Sequence, residues 1–295
     1  SAPPIDREAL AGVSAAMSRR GPDATGEWIS ADGRLGLAHR RLAIIDLSAD
    51  GIQPMALHEG GCSEPSHVVT FNGEIYNYRE LRTKLAAQGH VFRTNSDTEI
   101  LLHLYKEHGL DMVEHLRGMF AFALWDAADQ KLVLARDPFG IKPLYYADDG
   151  STIRIASMVK ALVCDRQVGH TPEPAGHVGF LVWGHVPEPY TLYREIRSLP
   201  AGSMLVLHRN GQRQERCYQA ILAHPNRMCA MPVGGALVVL LGAVLEFCWR
   251  FAVILLAQIR TKEAAERIRD RIARPSADIA KAQTRSIDRC IRPSQ

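Results

Sequence analysis

The run Gly118-Met119-Phe120-Ala121-Phe122-Ala123-Leu124-Trp125 constrains the fold of this chain more than any other stretch. It is apolar throughout and carries two Phe and one Trp, so it reads as a buried strand. A second apolar run at 131–136 follows across Asp126-Ala127-Ala128-Asp129-Gln130, and the two form a hairpin. Two further hairpins are expected downstream. One pairs 143–147 with 152–156 across Asp148-Asp149-Gly150. The other pairs 203–208 with 212–217 and turns at Asn210-Gly211. Upstream, 26–46 reads as strand–turn–strand around Ala31-Asp32-Gly33, 47–66 as a loop and 67–72 as a strand. Apolar spacing predicts helices over 5–18, 78–88 and 97–108. The last is opened by Ser96 as N-cap with Glu99 three residues on, the pattern of a capping box. Strands dominate the middle and helices flank them, an α+β plan of antiparallel sheets covered by helices.

Composition narrows the function classes. Hydrophobic residues make up 46% and charged residues 23%, as in globular proteins. The net charge is +3, but from Gln219 onward 12 Lys and Arg face 6 Asp and Glu, while the preceding body is slightly acidic, 23 against 26. That body gives no reason to expect nucleic-acid binding. The six cysteines, at 62, 164, 217, 229, 248 and 290, show neither a CxxC pair nor metal-ligand spacing, the pattern of reduced thiols in a cytoplasmic protein. The N-terminus lacks a basic-plus-apolar signal segment. The start at Ser1, without an initiator Met, reads as truncated or processed. Residues 232–258 are long and apolar enough to raise a membrane anchor, but Glu246 and Arg250 near the centre argue against one.

The chemistry concentrates at Phe71-Asn72-Gly73-Glu74-Ile75-Tyr76-Asn77. The strand starting His67-Val68-Val69-Thr70 is expected to end at the Asn-Gly pair and hand over to a helix. Gly73 lets backbone approach a ligand closely, with its N–H aimed at it. The Asn72 amide supplies a second donor, and two converging donors are what an oxyanion hole requires. An isolated Asn-Gly is more often a simple turn. Arg40 and Arg41 point to opposite faces if their segment is a strand. His39, a lone histidine beside a strand, reads as a satisfied structural group rather than a catalytic base.

Six segments in order carry a resemblance. They are Arg20-Gly21-Pro22-Asp23, the run from His39 to Asp46, the Asn-Gly-Glu stretch, Thr94-Asn95-Ser96-Asp97-Thr98-Glu99, Arg117 to Asp126, and Leu134 to Tyr146. Over roughly residues 5–218 the chain resembles the glutaminase domain of glutamine-hydrolysing asparagine synthetases, a class II amidotransferase with an N-terminal nucleophile. The resemblance implies a four-layer αββα sandwich for a domain at 1–218, with 219–295 a divergent tail, frameshifted or poorly ordered. It implies L-glutamine as substrate, with Asn72 and Gly73 as the oxyanion hole and Arg41 on the α-carboxylate. Leu42, Ile44 and Ile45 join the pocket, and Glu74 and Asp97 take the α-ammonium. Arg20 to Asp23 would be a structural pin near the pocket, and 136–146 its far wall.

The family's nucleophile is an N-terminal Cys whose α-amine acts as base; it is missing here, Ser1 is too close to Arg-Gly-Pro-Asp to replace it, and an inactive fragment is the expected state. No cofactor is expected in this chain. ATP and Mg belong to the synthetase domain, whose pyrophosphate loop has no counterpart in the tail. That domain and a second copy of the chain are the expected protein partners. Arg19 replaces a usual His, and Met158 a usual Glu. A non-catalytic glutamine-binding module, or an amidotransferase with another acceptor in polysaccharide biosynthesis, are the alternatives.

Overall fold

The computed structural model describes residues 4–59 and 63–219, within one compact unit, Ser1–Ala223. Ser1, Cys62 and the tail beyond 219, with the anchor and frameshift readings attached to it, lie outside the described residues. The chain opens with α1 (Arg7–Ala16), whose first turn is closed by Asp6: its carboxylate accepts from the N–H groups of Glu8 and Ala9 at 3.0 and 3.1 Å. Then come β1 (Ala24–Ile29), β2 (Gly36–Arg41), β3 (Met55–Leu57) and β4 (His67–Ile75). Helices α2 (Tyr78–Ala87) and α3 (Thr98–His108) lead into β5 (Gly118–Asp126) and β6 (Lys131–Arg136). The remainder holds β7 (Tyr145–Asp148), β8 (Ile153–Ala156), α4 (Val159–Val163), α5 (Pro174–Trp183), β9 (Ile196–Ser198), β10 (Ser203–His208) and β11 (Arg213–Cys217).

Among the described residues the strands form three antiparallel sheets. Six strands run in the order β11-β10-β6-β5-β4-β3, β1 pairs with β2, and β7 lies between β8 and β9. Each expected hairpin forms, with Phe122 opposite Ala135 and Tyr145 opposite Ala156. Alternation along β4 and β5 sends side chains to two cores. Val69, Phe71, Ile75, Phe120, Phe122 and Leu124 meet α2 and α3 through Leu81, Leu85, Ile100, Leu101 and Leu104. Val68, Ala121, Ala123 and Trp125 meet Leu37 of β2, with Leu144 and Leu199. A third core joins α1 and α4 to β7, β8 and β9 through Val13, Ala147, Ala156, Leu162 and Ile196. The chain is therefore α+β with antiparallel sheets.

Three expectations at element boundaries are corrected. The strand at 67–72 does not stop at Asn-Gly; β4 continues to Ile75, because Asn72, Gly73 and Glu74 pair with Ala121, Phe120 and Met119. The loop at 47–66 contains β3, which pairs with Val69, Val68 and His67. The capping box does not form: Asp97 occupies the N-cap position of α3, and Glu99 reaches past Ser96 to the N–H groups of Arg93 and Thr94, each at 2.8 Å. Ser96 Oγ still accepts from the Thr98 N–H at 3.2 Å. One helix, α5, was not foreseen; Pro174 starts it, and Gly184 ends it in a left-handed conformation, φ 74°.

The loop after β6 is held by two side chains: Arg136 donates to the Gly140 and Lys142 carbonyls at 2.7 and 2.8 Å, and Asp137 gathers the loop's N–H groups. Asp137 is fully buried, and its carboxylate accepts from the N–H groups of Phe139, Ile141 and Lys142 at 3.0, 3.0 and 2.9 Å, and from Phe120 at 3.3 Å. An orphaned buried donor costs about 1–3 kcal/mol. Asp137→Ala is therefore expected to lower unfolding free energy by more than about 3 kcal/mol, measured by urea denaturation.

Candidate functional site

The site grows from one edge of β4. Along β4 the odd residues turn their N–H groups away from β5: the Phe71 N–H donates to Gln53 Oε1 at 2.6 Å, and the Ile75 N–H donates to Asp97 Oδ2 at 3.0 Å. Antiparallel alternation turns the Gly73 N–H the same way, between these two. No side chain and no loop carbonyl of the described residues accepts from it. Gly73 is required here for packing as well. A Cβ would land on the Met119 carbonyl oxygen and lie 2.8 Å from Phe120 Cα. On the perpendicular face Asn72 and Glu74 project beside Thr70. Among the described residues the Asn72 amide has no hydrogen-bond partner, so two polar donors stand next to each other unspent.

Arg41, at the end of β2, supplies the positive charge. Its Nη1 donates to the Ser48 carbonyl at 2.7 Å and its Nη2 donates to the Asp46 carbonyl. Both acceptors are neutral, and a guanidinium has five N–H donors, so charge and donors remain for an anion. Gly51 permits this rotamer, since a Cβ there would collide with Nη2. Arg40 faces the other way: its Nε donates to the Ser14 carbonyl and hydroxyl at 3.2 and 3.0 Å, tying β2 to α1. The segment after β2 is pinned by Asp23, whose N–H donates to the Arg41 carbonyl at 3.0 Å and whose carboxylate accepts from the Ala43 N–H at 2.8 Å. Gly21 lies so close to the Arg40 carbonyl that no side chain fits there. This pin leaves Leu42 and Ile44 exposed, at 54% and 71%.

Asp97 supplies the negative charge. It is 4% exposed, and burial, reinforced by Glu74, holds its carboxyl above the ordinary value despite the Ile75 N–H. The loop carrying it is closed by Glu99. Burial would raise that carboxyl, but His103 at 3.7 Å and the N–H groups of Arg93 and Thr94 hold it down at about 2. His39 sits near Arg41; burial and then the Arg41 charge depress its pKa to about 4, so it is neutral, with Nδ1 3.1 Å from Thr70 Oγ1.

One broad cavity of about 1120 Å³ reaches all of these groups and extends from the α1 side to the β10–β11 turn, with Arg40 also on its wall. Arg41, Leu42, Ile44, Ile45, Asn72, Gly73, Glu74 and Asp97 all line it, as do His39, Met119 and Lys142. Exposed Cys164 and Cys217 do not. Among the described residues no cluster of His, Cys, Asp and Glu could hold a metal ion, and no helix is long and apolar enough to cross a membrane. Sequence reasoning missed Gln53 and Asp46. Gln53 spans from Phe71 to Thr98, donating to Thr98 Oγ1 at 3.1 Å. Asp46 accepts from the Asn95 N–H at 2.9 Å and the Ser48 N–H at 2.8 Å. Asp46 closes the motif segment that begins at His39, whereas Gln53 lies outside every motif.

The raised carboxyl of Asp97 has a stability consequence. An acid whose folded pKa exceeds its unfolded value costs stability when ionised; the cost is complete above the folded value and vanishes below the ordinary value of 3.8. Asp97→Asn keeps an oxygen for Ile75 without the charge. It is expected to be at least as stable as the parent at pH 7, with any advantage lost as the pH falls toward 3.8, followed by thermal denaturation across that range.

Comparisons with known proteins bear on the family and the fold. Residues 3–219 match the glutamine amidotransferase domain family. Bacillus subtilis asparagine synthetase [glutamine-hydrolyzing] 1 is 39% identical over 192 residues, covering 65% of this chain and 29% of the relative. Amidase chry2 of Gibberella zeae is 45% identical over 147 residues, covering 50% and 21%. The chain thus spans under a third of either relative. Among solved structures, glutamine phosphoribosylpyrophosphate amidotransferase from B. subtilis, complexed with ADP and GMP, superposes with a TM-score of 0.52 at 21% identity, covering 72% of this chain and 46% of that one, a likeness of fold. From the family match and the relatives' sequences, the chain belongs to the class II glutamine amidotransferase domain family, in its asparagine-synthetase-like branch.

Proposed function

We propose that the cavity binds L-glutamine and that this domain is the glutaminase part of an enzyme that hydrolyses glutamine for its ammonia. The observation that carries the reading is the convergence of a guanidinium, a buried carboxylate and two unspent donors on one cavity. The ligand complementary to such a set is a zwitterion with a polar carbonyl at its far end. Arg41 takes the α-carboxylate through paired charge-assisted bonds. Asp97, with Glu74, takes the α-ammonium. The γ-carboxamide oxygen then lies against the Asn72 amide and the Gly73 N–H. Helices α2 and α3 packed on the six-stranded sheet, and α1 and α4 packed on β7, β8 and β9, support the αββα, N-terminal-nucleophile reading of the fold.

The nucleophile in this reading is a thiolate carried into the cavity by a Cys-Gly-Ile type N-terminal segment. Sulfur adds to the amide carbon, and the two donors hold the oxyanion. The C–N bond breaks as the leaving nitrogen takes a proton from the α-ammonium of the same residue, releasing ammonia. Water then cleaves the thioester to glutamate. The further use of ammonia, amidation of an ATP-activated aspartate with Mg, belongs to a synthetase part and rests on likeness to the asparagine synthetases. The likeness to an amidase leaves another acceptor as the second reading.

The test is glutaminase assay of the chain with the Cys-Gly-Ile segment joined upstream, beside calorimetric glutamine binding by the chain itself. In the Cys-bearing protein, Asn72→Ala is expected to lower kcat by about 10²–10³. Arg41→Ala is expected to weaken glutamine binding by about ten- to hundred-fold. Activity unaffected by Asn72→Ala contradicts the oxyanion assignment. Glutamine binding unaffected by Arg41→Ala contradicts the carboxylate assignment.

A further inference from the structure

Arg41 ends β2 and is held by the 42–48 loop that follows, Asp97 ends the 93–97 loop before α3, and a zwitterion needs both at a fixed separation. One side chain spans the two loops. Asp46 is buried, 9% exposed; its Oδ2 accepts from the Asn95 N–H at 2.9 Å and its Oδ1 from the Ser48 N–H at 2.8 Å. Its own carbonyl, with that of Ser48, holds the Arg41 guanidinium. Asn95 is two residues from Asp97, in a turn where the Thr94 hydroxyl donates to Glu99 and accepts from the Ser96 N–H. We propose that Asp46 is the positioning residue that sets the distance between the cationic and anionic arms of the glutamine site.

The inference rests on the glutamine reading and adds to it. Asp46 does not touch the substrate; it acts through Asn95 on one arm and through Ser48 on the other. Hydrogen bonds from Ser48, outweighing the effect of burial, hold its carboxyl below the ordinary value, so it accepts at both oxygens at neutral pH. Asp46→Asn replaces one acceptor by an NH₂ donor, which faces an N–H and cannot bond it. The Arg41 bonds to the carbonyls at 46 and 48 lie within one segment and survive the change. One of the two ties, to Asn95 or to Ser48, is therefore lost, while the carbonyl bonds to Arg41 involve no atom that the substitution changes.

The experiment is calorimetric titration of the parent chain and of D46N with L-glutamine and with 4-carbamoylbutanoate, which lacks only the α-ammonium. D46N is expected to weaken glutamine by about ten- to hundred-fold and the deaminated analogue by less than about threefold. Equal loss for both ligands, or loss for neither, overturns the proposal. If the parent itself does not bind glutamine, the glutamine reading fails and the clamp falls with it, a result distinct from any D46N effect. Should D46N not fold, amide exchange in the parent decides. Glutamine is expected to slow exchange of the Asn95 N–H about tenfold as the tie tightens, and an unchanged rate overturns the proposal.

Discussion

The structure around the cavity depends on the edge that β4 leaves uncovered. β5 pairs with β4 from His67 to Ile75, whereas β3 covers only His67 to Val69 on the other side. Beyond Val69 the outward N–H groups must find other acceptors, because an orphaned backbone donor in a protein interior is costly. Gln53 meets Phe71 and Asp97 meets Ile75. That requirement brings the start of α3 and the 46–53 segment onto the same edge. Gly73 between them keeps its N–H for a ligand, and its lack of a side chain is what lets β5 lie close enough to hold the strand straight. One backbone edge thus explains why a donor, a carboxylate and an arginine-bearing loop share one space.

The electrostatics of the cavity follow from burial. A carboxyl at Asp97 with a raised pKa waits for a cation, and a histidine depressed to about 4 next to Arg41 adds no competing charge. Arg41 is held by carbonyls alone, so its charge is not neutralised by a protein carboxylate bond. Opposite charges set apart in a partly dry cavity interact strongly with a ligand of matching charge separation and weakly with a singly charged one.

Much of this was legible in the sequence. The hairpins were visible because apolar runs bounded by Asp, Asn and Gly leave few alternatives, and β5 and β6 fall within a residue of where the runs end. The eight residues that the motifs named all line one cavity, and their roles there are those of the proposal. What was not legible depends on distant partners. The strand was expected to end at Asn-Gly because that pair has turn chemistry; the pairing of Gly73 with Phe120, far along the chain, carries it on to Ile75. Glu99 looked like half of a capping box, but two N–H groups of the preceding loop outcompete that bond. The bridging roles of Gln53 and Asp46 depend on loops meeting in space, which no local pattern records. Helix α5 was overlooked because its apolar residues face outward as well as inward, with Phe180, Leu181 and Trp183 exposed, so no clean stripe marks it.

The most direct test of the central claim, that a glutamine-sized zwitterion sits along the free edge of β4, is titration of the ¹⁵N-labelled chain with L-glutamine followed by amide NMR. The account requires saturable shifts at the Gly73 N–H, the Asn72 side-chain amide and the Ile75 N–H, with 4-carbamoylbutanoate shifting Gly73 and Asn72 but moving Ile75 far less. Shifts confined to other surfaces, or a Gly73 N–H indifferent to glutamine, would contradict it.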